Sequence, residues 1–145
     1  GNKVIGYSTL ILDILKAVIP LLYLKFYYLD YIYLGSLCAF IGHVFPVWLK
    51  FKGGKGVATY LGILFCINYL LGLVFITIWI IIFLIFKYSS LSSILATLSI
   101  PIFHFFYLNN DNYYFFIILF ILIFYTHRQN VKRLINNTES KTKIY

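Results

Sequence analysis

Residues 42–59 read GHVFPVWLKFKGGKGVAT, so Lys50, Lys52 and Lys55 are interleaved with Gly53, Gly54 and Gly56. Lysine supplies positive charge, and glycine lets the main chain take left-handed angles and approach a bound group closely. Val57 opens a helical stretch whose first amides lack a partner within the helix and carry partial positive charge. Lys52, Gly53, Gly54, Lys55 and Gly56 thus form a candidate anion nest, and the anion that suits such donors beside a bilayer is a phosphate. The pattern GxxxxGK(S/T) is absent, so a nucleoside triphosphate is not implied.

A second set of reactive groups stands near the other end. His127, Arg128 and Asn130 place an imidazole, a guanidinium and an amide within one helical turn. The serines of SSLSS at 89–93 open a helix, where a hydroxyl caps main-chain amides or meets a ligand. No cysteine or acid stands near as an obvious nucleophile, and no His/Asp/Glu cluster has metal-ligand spacing. A reaction here would proceed by positioning and electrostatic stabilisation, with a substrate phosphate sharing in proton transfer. No metal and no cofactor is expected.

The elements that carry these groups belong in a membrane. The chain is 62% hydrophobic, 21% aromatic and 11% charged, with a mean hydropathy of +0.91, more apolar surface than a water-soluble fold can hide. Long apolar runs without period-2 alternation select helices over a barrel. Lys and Arg outnumber Asp and Glu by 12 to 4; in a membrane protein this excess marks the cytoplasmic side and implies no nucleic acid. Cys38 and Cys66 lie in apolar runs and read as small core residues, with neither disulfide nor metal supported.

Residues 4–23 form a first span that ends near Pro20 and carries Asp13 and Lys16 one turn apart, an expected structural ion pair. A polar turn at 25–30 leads to a second span at 31–49. There His43 packs helices together, and Pro46 bends the exit toward the lysine loop. The apolar run 57–86 would be about 45 Å long as one helix, too long for a simple crossing. Broken near 68–72, it places Lys50, Lys52, Lys55, Lys87, Arg128, Lys132, Arg133, Lys141 and Lys143 on one side of the membrane. That topology brings the lysine loop, the serines and His127–Asn130 to one rim. Spans at 89–107, with Pro101 and His104 deep inside, and at 113–126 follow, joined by an outer turn at 109–112. A basic tail then reads HRQNVKRLINNTESKTK and should snorkel at anionic headgroups. The expected fold is an all-α, polytopic membrane helix bundle of about six transmembrane helices, residues 1–145 making a single domain.

These stretches resemble a known family, the PlsY-type acyl-phosphate:glycerol-3-phosphate acyltransferases of bacterial inner membranes. GHVFPVWLKFKGGKGVAT is similar to the family's second motif, LDILKAVIP to its LDxxKGxxP helix, and SLSSI with THRQNVKRL and the following TE to its third. The resemblance covers essentially the whole chain. It implies transfer of a fatty acyl group from acyl phosphate to the 1-hydroxyl of glycerol 3-phosphate, giving lysophosphatidate and phosphate. Among membrane lipid, the two substrates would be its only required partners: no coenzyme A, carrier protein or obligate protein partner is implied. By the same resemblance, Gly53, Gly54, Lys55 and Gly56 would bind substrate phosphate, and the charges of Lys52 and Arg128 would join them. His127 and Asn130 would support the acyl-transfer site, Ser90 and Ser93 would line it, and Glu139 would be structural, as the residues' own spacing suggests for Asp13, Lys16 and His43. The site and C-terminus would be cytoplasmic.

Departures from the family pattern are Ala17 for glycine after Lys16, Gln129 where many members carry an acid, and Asn137 for the glycine before TE. The sequence begins GNKVIG without methionine. The family's first helix and its GSGNxGATN-like first motif, bearing an essential Ser and Arg, would precede Gly1. Six of seven family helices would then be present, and the chain would be incomplete as an enzyme. Two rival readings use the same features: a transporter of a phosphorylated metabolite, and a non-catalytic membrane partner.

Overall fold

The computed structural model describes residues 3–108 and 112–142. Among the described residues every regular element is helical and none is a strand, and they separate into two compact units, one running to Gly72 and the other starting at Leu73.

The first unit contains α1 (Lys3–Tyr27), α2 (Ile32–Val44) and α3 (Val57–Ile67). α1 does not stop near Pro20; it runs on to Tyr27, and the turn expected at 25–30 shrinks to a 3-10 turn at Leu29–Tyr31. Packing explains the difference. Leu21 is fully buried, and Leu24 lies so close to Gly35 of α2 that a β-carbon there would overlap it. These contacts beyond Pro20 hold the helix together across the missing hydrogen bond. α1 and α3 run parallel, as the sequence of their contacts shows. Thr59 donates to the Asp13 carbonyl at 3.2 Å, Gly62 faces the Ile14 carbonyl, and the Cys66 thiol reaches the Val18 carbonyl at 3.9 Å. The start of α3 is therefore level with Asp13 and Lys16.

The second unit holds most of α4 (Tyr69–Phe86), with α5 (Ser89–Phe103), α6 (Tyr113–Thr126) and α7 (Arg128–Ile135). The break in the long apolar run falls at Asn68, as expected; its side chain accepts from the Leu70 amide at 2.9 Å and so starts α4. Pro101 cannot donate to the preceding turn, and beyond it α5 widens into a π-helical turn, His104–Leu108. His104 is buried against the Phe116 ring at 4.9 Å. Ile94, Ile100, Leu119 and Ile123 complete the core between α5 and α6. The outer turn expected at 109–112 lies, but for Asn112, outside the described residues, as does Lys143.

Four helical stretches are long and apolar enough to cross a membrane, and a fifth if α6 and α7, bent by 63°, are taken together. The six expected helices are present as α1 to α6, and α3, the short first half of the broken apolar run, has 11 residues and reaches about 16 Å. Cys66 is buried as expected, whereas Cys38 is exposed. Whole helix faces are apolar and exposed, with Val4 71% and Phe26 77% accessible, a surface suited to lipid rather than water.

Candidate active site

In the first unit the lysine loop folds back onto the end of α2. Pro46 leaves the α2 carbonyls without their usual donors, and the Gly53 amide takes the place of one by donating to Val44 at 3.1 Å. The amides of Lys50, Phe51 and Lys52 donate to Val47, Pro46 and Leu49. Gly53 therefore contributes close approach rather than an open donor: a β-carbon there would overlap the His43 and Val44 carbonyls. Gly56 has φ +86°, and a side chain would strike the Phe40 ring; it precedes the first turn of α3 with no side-chain cap on the Val57–Thr59 amides. Lys52, Gly53 and Gly54 line a cleft of ≈ 300 Å³ with Thr9, Asp13, Lys16 and His43. Lys52 and Lys55 are exposed.

The expected Asp13–Lys16 ion pair is present at 2.8 Å and extends further than expected, because Lys16 Nζ also contacts His43 Nδ1. A lysine ammonium has only donors, so Nδ1 accepts and the neutral ring carries its proton on Nε2. Asp13 Oδ1 stands 3.6 Å from Nδ1, too far to compete.

In the second unit the focal group is Glu139. Its Oε1 accepts from Ser90 Oγ at 2.7 Å and Asn130 Nδ2 at 2.8 Å, and its Oε2 from Arg133 Nε at 2.6 Å. Burial alone pushes this carboxyl up, but the hydrogen bonds from Asn130, Ser90 and Arg133, with the Arg133 charge, hold it down to about 2. One Nδ2–H is committed to Glu139, which orients the Asn130 amide and leaves its carbonyl oxygen and its second N–H. His127 is buried and its Nδ1 lies 2.8 Å from the Ile123 carbonyl. A carbonyl only accepts, so Nδ1 bears the proton and Nε2 is the basic nitrogen of the neutral ring.

Two expected site residues lie apart from this cluster. Arg128 is exposed, donates to the Tyr125 carbonyl at 3.0 Å and stacks 4.4 Å over the Tyr125 ring. Ser93 donates to Ser89 at 2.9 Å and accepts from Trp79 Nε1 at 3.1 Å, so it ties α5 to α4. The SSLSS serines do not cap α5: Ser92 and Ser93 donate back to Tyr88 and Ser89. Arg133, one turn beyond Asn130, was the residue missed. Its signal was the spacing to Glu139, legible only once the intervening turn is known.

That turn explains one departure from the family pattern. Thr138 donates to the Arg133 carbonyl at 2.8 Å and Asn137 to Leu134 at 3.2 Å, a Schellman closure of α7 with Asn137 left-handed at φ +55°. Asparagine is the commonest substitute for glycine in that conformation. Ala17, the replacement for a second glycine, is fully buried.

The structure thus describes a helical membrane protein with a glycine–lysine loop against a cleft and, in the second unit, a Ser90–Asn130–Arg133–Glu139 hydrogen-bond cluster. The chain belongs to the glycerol-3-phosphate acyltransferase family, whose model it matches over residues 1–137. It is 66% identical over 145 residues to the glycerol-3-phosphate acyltransferase of Pelagibacter ubique (strain HTCC1062), an alignment covering 100% of this chain and 75% of that protein. With the enzyme of the same name from Bartonella henselae it shares 45% over 147 residues, covering 97% and 70%. The fold is that of the crystal structure of PlsY (YgiH), an integral membrane glycerol 3-phosphate acyltransferase, in its glycerol 3-phosphate form. The TM-score is 0.89 at 37% identity, covering 97% of this chain and 72% of that one. The lysophosphatidic acid form gives 0.87 at 37%, covering 97% and 74%.

Proposed function

We propose that this chain is a membrane acyltransferase that moves a fatty acyl group from an acyl phosphate to the 1-hydroxyl of glycerol 3-phosphate, releasing lysophosphatidate and inorganic phosphate. Family membership and the activity of the relatives support the enzyme class. The observation that carries the chemistry is the lysine–glycine loop before α3, whose Lys52, Gly53 and Gly54 line a cleft together with Lys16 and His43. A tetrahedral phosphate is the anion such donors match.

In this reading the acceptor hydroxyl oxygen attacks the acyl carbonyl carbon, the bond from that carbon to the phosphate oxygen breaks, and phosphate leaves. The hydroxyl proton passes to His127 Nε2 or to the departing phosphate. Asn130, oriented through Glu139, offers its carbonyl to the acceptor. Ser90 shares that carboxylate, while Lys52, Lys55 and the α3 amides offset the phosphate charge. No metal is required for these steps.

Residues 1–145 would then act as one acyltransferase domain. Its site and C-terminus would face the cytoplasm of a bacterial inner membrane, a placement supported by the lysines and arginines of the loop and tail.

The test is release of phosphate from palmitoyl phosphate, in phospholipid vesicles, by the purified protein joined to the upstream segment that bears the family's first motif. Release that depends on glycerol 3-phosphate, with matching formation of lysophosphatidate, is the expected result. Counterflow of labelled glycerol 3-phosphate without any acyl transfer would replace this reading with a transporter.

A further inference from the structure

Asp13, Lys16 and His43 read from the sequence as packing groups, yet all three line the cleft beside Lys52, Gly53 and Gly54. Their side chains are 28%, 43% and 8% accessible, so the carboxylate–ammonium pair is open to the cleft while the imidazole is nearly enclosed. Lys16 fixes the ring with its proton on Nε2, and the Nε2–Cε1 edge then lies under Gly54. A β-carbon on Gly54 would overlap both of those ring atoms. Gly54 is absent from the left-handed residues, so here it is the imidazole, not the backbone angle, that excludes a side chain. The arrangement sets an N–H donor at the floor of the loop, supported by a cation and, behind it, an anion.

We propose that His43 is a substrate-binding residue, its Nε2–H donating to a phosphate oxygen held by the lysine–glycine loop, with Asp13 and Lys16 as positioning residues. The inference rests on the reading of that loop as the phosphate site. A neutral imidazole that donates adds a directional hydrogen bond without another full charge, and the Asp13–Lys16 pair is itself neutral. Both candidate ligands, glycerol 3-phosphate and the phosphoryl group of an acyl phosphate, present the same oxygens.

The test combines imidazole nitrogen NMR with kinetics. In the wild-type protein, long-range proton–nitrogen correlation should show His43 as the Nε2–H tautomer, and adding glycerol 3-phosphate or inorganic phosphate should shift that resonance. Lys16→Met should release the tautomer. His43→Leu should raise the KM of one phosphate substrate roughly tenfold or more, the loss of one hydrogen bond to a charged group, with a smaller change in kcat. His43→Gln, which keeps an N–H near the Nε2 position, should recover most of that loss. A rise for glycerol 3-phosphate places its phosphate here; a rise for palmitoyl phosphate places the donor's. A His43 resonance unmoved by saturating phosphate, while Lys55→Ala still weakens phosphate binding, overturns the role of His43 alone. Phosphate binding unchanged in both Lys55→Ala and His43→Leu overturns the loop reading with it.

Discussion

His43 and His127 are the same side chain held in opposite tautomers by one neighbour each. Against His43 Nδ1 stands an ammonium, which can only donate, so the other ring nitrogen holds the proton. Against His127 Nδ1 stands the Ile123 carbonyl, which can only accept, so the other nitrogen holds the lone pair. The first histidine sits on an anion loop and the second beside a carboxylate hub. The comparison teaches that a histidine's role is read from the atom opposite its inner nitrogen, not from its presence near a motif.

If the contrast is right, changes in the second unit act on kcat and changes in the loop act on substrate binding. The largest effect is expected for His127→Ala, which removes the proton acceptor and should lower kcat by roughly 10³. An unchanged kcat in steady-state phosphate release would remove His127 from proton transfer. Lys55→Ala should lower kcat/KM by roughly 10- to 100-fold, the loss of a charge-assisted contact, most visibly at subsaturating glycerol 3-phosphate. Unaltered turnover under those conditions would sink its phosphate role.

Glu139→Gln should cost about tenfold in kcat, because one of the hub's acceptor oxygens becomes an amide donor facing Ser90, Asn130 or Arg133. It also carries a pH signature. The folded carboxyl sits at about 2 against an ordinary 4.5, so its contribution to stability is fully present above pH 4.5 and is lost as pH falls toward 2. Thermal unfolding of the wild type should therefore drop to lower temperature across that window, and Glu139→Gln should flatten that part of the profile. The smallest effect belongs to Asn137. Asn137→Gly should leave stability within about 0.5 kcal/mol or raise it slightly, whereas Asn137→Ala should cost about 1 kcal/mol at the left-handed position, as measured by denaturant unfolding.

The fold was legible where apolar runs meet polar punctuation. Asn68 and the Lys87–Tyr88 joint interrupt hydrophobicity, and the helices break there. Pro20 misled because proline is a local signal, and the contacts of Leu21 and Leu24 that override it come from α2, distant in sequence. The run 57–86 was legible as two helices, and α3, with 11 residues, is the shorter of them against 18 in α4. At the site, residue types were legible and partnerships were not. Arg128 was the arginine assigned to the site, and only the turn through Asn137 reveals that Arg133 meets Glu139. Gly53 appeared to be a donor in an anion nest, and only the carbonyl left open by Pro46 shows where its amide is spent.

The main-chain bond from the Thr142 amide to the Lys87 carbonyl, 2.9 Å, lies three residues beyond Glu139, and Lys141 stacks 5.7 Å over the ring of Tyr88. Thr142 is exposed, so solvent contact alone would let its amide exchange with deuterium freely. Any slowing of that exchange measures how firmly the tail is held against the α4–α5 corner, and hence how well the Glu139 hub is assembled. The molecule carries a reporter of its own site that can be read without substrate, label or turnover.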